Sequence, residues 1–179
     1  MNGLIFIEVG KFAQARLGAA AWQRLARSAG VGHRVYVPVA NYPDEELVGL
    51  LNVLSAETGE PVRALLEALG EFIVPDLMSL AQSVIQPAWK TLDLIANTEG
   101  AIHEVIRHTG SHSHPPHLRC RRLAENEVVV HYSSPRKLCP LARGIVKGVA
   151  AHYGETVSLA ESSCMLRGDA ACQIVVTLV

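Results

Sequence analysis

The hydrophobic pattern of this chain changes period once, and the change falls at a break carrying glycine and two prolines, residues 109–117. Before it, over about 10–106, apolar residues recur at helical spacing; after it they alternate or run in short β-branched stretches. A chain that is helical first and strand-rich second must bury its helix stripes against a sheet face. The expected class is therefore α+β, with a helical amino-terminal part packed on a carboxy-terminal part that carries an antiparallel sheet and helices.

Within the first part, 13–28 reads as one helix closed by Gly30 and Gly32. Tyr42-Pro43-Asp44-Glu45-Glu46 reads as a helix start, with proline early and acids where they complement the dipole; Leu47, Leu50, Leu51 and Leu54 follow on one face. A further helix is expected over 58–70, with Pro61 near its start and Val62, Leu65, Leu66 and Leu69 inward, and two more over 77–86 and 88–108, separated by Pro87. Beyond the break, strands are expected at 118–123 and 127–132, turning at Asn126. A helix over 140–153 closes at Gly154, and strands at 156–159 and 172–179 join through Arg167-Gly168-Asp169.

Length and charge narrow the function classes. A chain of 179 residues suits one domain. A net charge of −1 argues against a nucleic-acid surface, which needs a basic stripe. No apolar run reaches the roughly 20 residues that span a bilayer, and Met1-Asn2-Gly3-Leu4 lacks the basic start of a secretory signal. The expectation is a cytoplasmic protein with no membrane and no nucleic-acid partner. The four cysteines then read as thiols or metal ligands rather than as a disulfide framework.

Two features carry chemistry. Tyr132-Ser133-Ser134-Pro135-Arg136, read as a strand running into a turn, puts residues 132, 134 and 136 on one face. Two hydroxyls and a planar guanidinium form a donor comb suited to paired carboxylates such as haem propionates; the plain alternative is a solvated strand edge. His103 lies in the 88–108 helix beside Ile102, Val105 and Ile106, with the small Gly100 and with Glu99 one turn before it, so that one side looks open. Such a histidine is ordinarily a satisfied core residue, yet neutral imidazole in an apolar setting is also the usual donor to haem iron. His108, His112, His114 and His117 cluster around the break and read either as a polar loop or as a surface metal site.

Ile102-His103-x-x-Ile106, then Pro116, then Tyr132-x-Ser134-x-Arg136 together resemble the haem nitric oxide/oxygen-binding (H-NOX) family, related to the sensor domain of soluble guanylate cyclase. The likeness extends from Met1-x-Gly3 through Leu69-Gly70-Glu71-Phe72 and Leu138-Cys139. It continues through Gly144-x-x-x-Gly148 to Cys164-Met165-x-x-Gly168-x-x-x-Cys172, most like the stand-alone bacterial members. The resemblance implies a distal helical subdomain over about 1–64 and a proximal one over about 65–179, with a b-type haem between the two parts. It also implies His103 as proximal iron ligand, Tyr132, Ser134 and Arg136 as propionate holders, and Pro116 pressing on the porphyrin.

The resemblance also sets expectations about the signal. Oxygen-binding relatives carry a distal tyrosine where this chain has Leu141. Losing a hydrogen bond to a charged acceptor costs about 1.5–3 kcal/mol, so an apolar lining of Ile5, Leu141 and Leu77 or Met78 implies a ferrous nitric oxide sensor that ignores dioxygen. Nothing in the chain reads as an enzyme, so the output is expected on a partner such as a histidine kinase or a cyclic-di-GMP enzyme. Cys139, Cys164 and Cys172 match positions of a structural zinc site in some relatives, where a histidine stands in place of Glu161. The readings are a Cys₃Glu zinc site or three free thiols, with Cys120 outside the set. Two rivals remain open: a zinc/thiol redox sensor on the same fold with little or no haem, and a bare interaction domain with vestigial haem residues.

Overall fold

The computed structural model describes residues 1–108 and 114–179. His112 lies outside the described residues. The α+β expectation holds: the described residues include eight α-helices and a four-stranded antiparallel sheet of order β1-β2-β4-β3.

The first helix, α1 (Gly3–Leu17), starts well before the helical pattern was expected to begin. Asn2 caps it, its Oδ1 accepting from the Leu4 amide at 2.9 Å. The single helix expected over 13–28 is two, because Gly18 takes φ 90° and ends α1 before α2 (Ala21–Ser28) begins. α3 (Asp44–Thr58) keeps the predicted start, and Gly59 closes it in the left-handed region at φ 74°. α4 (Val62–Phe72) therefore begins four residues later than expected, directly after Pro61. α5 (Val74–Ala81) is shifted towards the amino terminus relative to the 77–86 prediction, because Pro75 suits a helix's first turn, where no N–H is needed.

The 88–108 prediction merges three pieces. α6 (Thr91–Thr98) runs into a single π-turn at Glu99–His103, in which the Glu104 amide bonds the Glu99 carbonyl, and then into α7 (Glu104–His108). The sheet follows with β1 (His117–Ala124) and β2 (Glu127–Ser133), then α8 (Cys139–His152), β3 (Val157–Ser163) and β4 (Cys172–Leu178). Central β2 pairs Tyr132 with Leu118 on one side and with Cys172 on the other.

Burial divides the apolar residues into three clusters. Phe6, Leu50, Leu54, Leu65 and Leu69 centre the helical cluster, which also takes in Leu141 from α8. Val128, Val130, Tyr132, Ile174 and Val176 form the sheet cluster with Leu92 and Ile95 of α6. Val74, Leu94 and Val149 form a small third cluster, joined by Ile102. A fully buried leucine contributes about 1.5–3 kcal/mol, so the first cluster is the main anchor of the helices.

α4 and α8 meet along glycine. A Cβ on Gly144 would overlap the Glu67 carbonyl, and one on Gly70 would overlap the Leu141 carbonyl. Glu67 also binds Arg143 at 3.4 Å and Lys147 at 2.5 Å across the same seam. The spacing Gly144-x-x-x-Gly148 thus serves backbone approach between two helices.

Candidate functional site

His103 closes the π-turn with a side chain only 14% exposed. Burial lowers its pKa against the pull of Glu99, so the ring is kept neutral near pH 7. Its Nδ1 faces the Glu99 carboxylate at 3.2 Å, and the Pro116 carbonyl also lies within bonding reach of the ring. The side of His103 that looked open in the sequence is therefore filled. Although Gly100 is small, the carboxylate one turn earlier swings across the ring. Burial acts to raise the Glu99 carboxyl, but the Leu118 amide (3.0 Å), Arg107 and His103 together hold it below the usual carboxylate range. Sequence reasoning counted Glu99 only as a neighbour; its i, i+4 spacing to a candidate ligand was the available signal.

The three residues of the expected donor comb do not share one strand face. β2 ends at Ser133, and Ser134 opens a turn in which its Oγ accepts from the Arg136 amide at 3.3 Å, so residues 132, 134 and 136 are not three rungs of one strand. Tyr132 and Ser134 are both buried and bonded to each other. Burial, opposed by Ser134 and the Leu138 backbone, pushes the Tyr132 phenol up to about 12, leaving it a proton donor. Arg136 pairs with a carboxylate through one nitrogen: Nε donates to both Asp44 oxygens at 2.9 and 2.8 Å, and Nη1 donates to the His114 carbonyl at 2.8 Å. The Met1 ammonium shares Asp44 at 2.6 Å.

Ile5 and Leu141 belong to one apolar cluster, and Leu77 packs against it, whereas Met78 packs with Ile102 in the third cluster. One turn beyond Ile5 lies a residue the sequence reading passed over. Glu8 is buried, with its Oε1 on Lys11 at 2.7 Å and its Oε2 without a partner. Lys11 also binds Asp76 of α5 at 2.5 Å, tying α1 to α5. Burial, joined by the nearby Asp76 carboxylate, outweighs Lys11 and raises the Glu8 carboxyl.

Three cysteines converge from distant parts of the chain. Ligand atoms of Cys139, Glu161, Cys164 and Cys172 all lie within 4.8 Å of one another. The Met165 amide donates to Cys172 Sγ at 3.2 Å, and Asp169 fixes the Cys164 amide at 2.6 Å. Glu161 binds Arg63 and Arg167 through Oε2 at 3.3 and 3.4 Å, while its Oε1 is buried without a partner. Cys120 stands apart; burial first, then Glu99, pushes its thiol up to about 11. Among the described residues, His108, His114 and His117 do not gather as ligands, because His108 caps back onto the Glu104 carbonyl and His117 points at Glu99 from 3.8 Å.

The candidate residues thus offer a largely shielded neutral imidazole, a guanidinium paired with a carboxylate and an apolar cluster among the helices. Residues 2–161 match the haem-NO-binding family, and the chain belongs to that family. It is similar to an H-NOX protein of Shewanella oneidensis solved with Fe(II) and NO, at 26% identity and a TM-score of 0.93, covering all of this chain and 99% of that one. A K. algicida H-NOX protein in the unliganded Fe(II) state shares the fold at 18% identity and a TM-score of 0.87, covering 100% of this chain and 97% of that one. A soluble guanylate cyclase of Caenorhabditis elegans is 26% identical over 119 residues, which cover 64% of this chain but 17% of that protein. No described helix is long and apolar enough to cross a membrane.

Proposed function

We propose that this chain is a haem-based sensor of nitric oxide, with no catalytic activity of its own, that signals to a separate protein through release of His103. The observation that carries the reading is His103 itself: a largely shielded, neutral imidazole whose Nδ1 faces a carboxylate, in a chain of the haem-NO-binding family. Iron would bind Nε2, the nitrogen that does not face Glu99. Tyr132, Ser134 and Arg136 would hold the propionates, and the fit is supported by Arg136, whose Nε already donates to the carboxylate of Asp44. When bound, haem would supply a ferrous iron able to bind diatomic gases, with His103 as its protein ligand.

The remaining work belongs to the chain. About 1–64 would form the distal subdomain and about 65–179 the proximal one. Ile5, Leu141 and Leu77 would keep the distal side apolar, and leucine at 141 offers no donor to bound dioxygen. That omission costs dioxygen about 1.5–3 kcal/mol while leaving nitric oxide almost untouched. Pro116 would press on the porphyrin, and His103, once released, frees the π-turn and α7, none of whose residues is buried. A partner such as a histidine kinase or a cyclic-di-GMP enzyme would read the shift as a change of populations.

The test is spectroscopic. Purified protein should be coloured, should change its visible spectrum with nitric oxide under anaerobic conditions, and should form no stable oxy complex in air. His103→Gly should lose the iron–protein bond and keep the fold. Colourless protein after reconstitution, or a stable oxy form, would overturn the reading.

A second site is favoured by its own observation. The buried, unpartnered Glu161 Oε1 beside three clustered sulfurs supports a Cys₃Glu zinc site. Elemental analysis should find zinc in wild type and its loss in Cys172→Ser. Zinc-free wild type with thiols that titrate freely, together with negligible haem, would instead favour the redox sensor.

A further inference from the structure

We infer that Glu99 is the positioning residue for His103: its carboxylate accepts a hydrogen bond from Nδ1–H and sets how strongly Nε2 can donate to iron, and Arg107 limits the charge available for this. The inference rests on the sensor reading above and deepens it.

Every recorded contact of the Glu99 carboxylate fits this arrangement. Oε2 accepts from the Leu118 amide at 3.0 Å and faces His103 Nδ1 at 3.2 Å, whereas Oε1 is bonded by Arg107 and faces His117 Nδ1 at 3.8 Å. The carboxylate is thus divided, one oxygen on the imidazole and the other on a guanidinium. Oε2 also ties the carboxylate to the start of β1 through the Leu118 amide. A carboxylate on Nδ1 fixes the tautomer, orients the ring and raises its basicity at the other nitrogen. A competing guanidinium on the second oxygen withdraws part of that charge.

The π-turn supplies the geometry. The wide turn at Glu99–His103 carries both residues at its two ends, so that the acid and the imidazole move as one unit anchored at β1. The grip on iron and its release would then be tuned from within one turn of helix.

This arrangement makes opposite predictions for its two partners. Glu99→Gln keeps an acceptor for Leu118 and for Nδ1–H but removes the charge. The iron–histidine stretching band in the resonance Raman spectrum of the ferrous protein should move to lower frequency, and nitric oxide should release His103 on the order of tenfold faster. Arg107→Ala leaves the charge and removes its competitor, so the band should move to higher frequency and release should slow. Circular dichroism melting establishes that each variant is folded.

A purely structural role for Glu99 would loosen the turn in both variants and shift the band the same way, or not at all, and either outcome overturns the inference. Should Glu99→Gln fail to fold, the direction of the Arg107→Ala shift decides alone. Wild-type protein that takes up no haem defeats the sensor reading beneath, whereas haem-loaded variants with unmoved bands defeat only the role of Glu99.

Discussion

The seam between α4 and α8 and the turn that carries His103 are built on opposite principles. At the seam, glycines bring two backbones into contact, and charged pairs from Glu67 to Arg143 and Lys147 lock the approach. At the turn, a π-turn interrupts the helix, no residue from Glu99 to His108 is buried, and Val105 is 47% exposed. A close-packed contact admits one arrangement, whereas a sparsely packed segment held by a few polar bonds can occupy two at small cost.

That contrast can be broken by measurement. The largest effect is expected for Gly144→Ala, because the added methyl overlaps the Glu67 carbonyl and the helices must part. Chemical denaturation should show a loss of about 1–3 kcal/mol; an unchanged midpoint would mean that the seam yields and that the contrast is false.

A smaller effect is expected at Glu8, where α1 meets α5. Burial raises its carboxyl above the ordinary value of 4.5 despite Lys11, so the folded chain binds this proton more tightly than the unfolded one. The resulting stabilisation is complete below pH 4.5 and is lost as pH rises through the folded value. Glu8→Gln should therefore raise stability at pH 7 by about 1 kcal/mol, and the gain should vanish below the unfolded value. A gain that persists in acid would place its origin elsewhere. The smallest effect belongs to the turn: Val105→Ala should change stability by less than about 0.5 kcal/mol. A loss as large as that of Gly144→Ala would show the turn to be as tightly packed as the seam.

Much of this was legible beforehand, for reasons that differ by residue. The leucine spacing from Leu47 to Leu54 and the valines of β2 announced their elements, because burial on one face forces a period. Pro75 and Gly18 misplaced helix boundaries, since a proline that opens a helix and a glycine that ends one look alike in an apolar run. Candidate ligands at His103, Tyr132, Ser134, Arg136 and the three cysteines could be named by type. What surrounds them could not.

The order of elements, the α+β class and the identities of the candidate donors were set by local pattern, which needs only neighbours in the chain. Tertiary structure alone decided that Arg136 holds Asp44 from 92 residues away, that Glu161 reaches the cysteines with one oxygen unpartnered, and that a carboxylate lies against the His103 ring. Periodicity reports which face is buried, but a polar side chain chooses its partner only when folding brings distant backbones within a few ångströms and removes the water that would otherwise satisfy it.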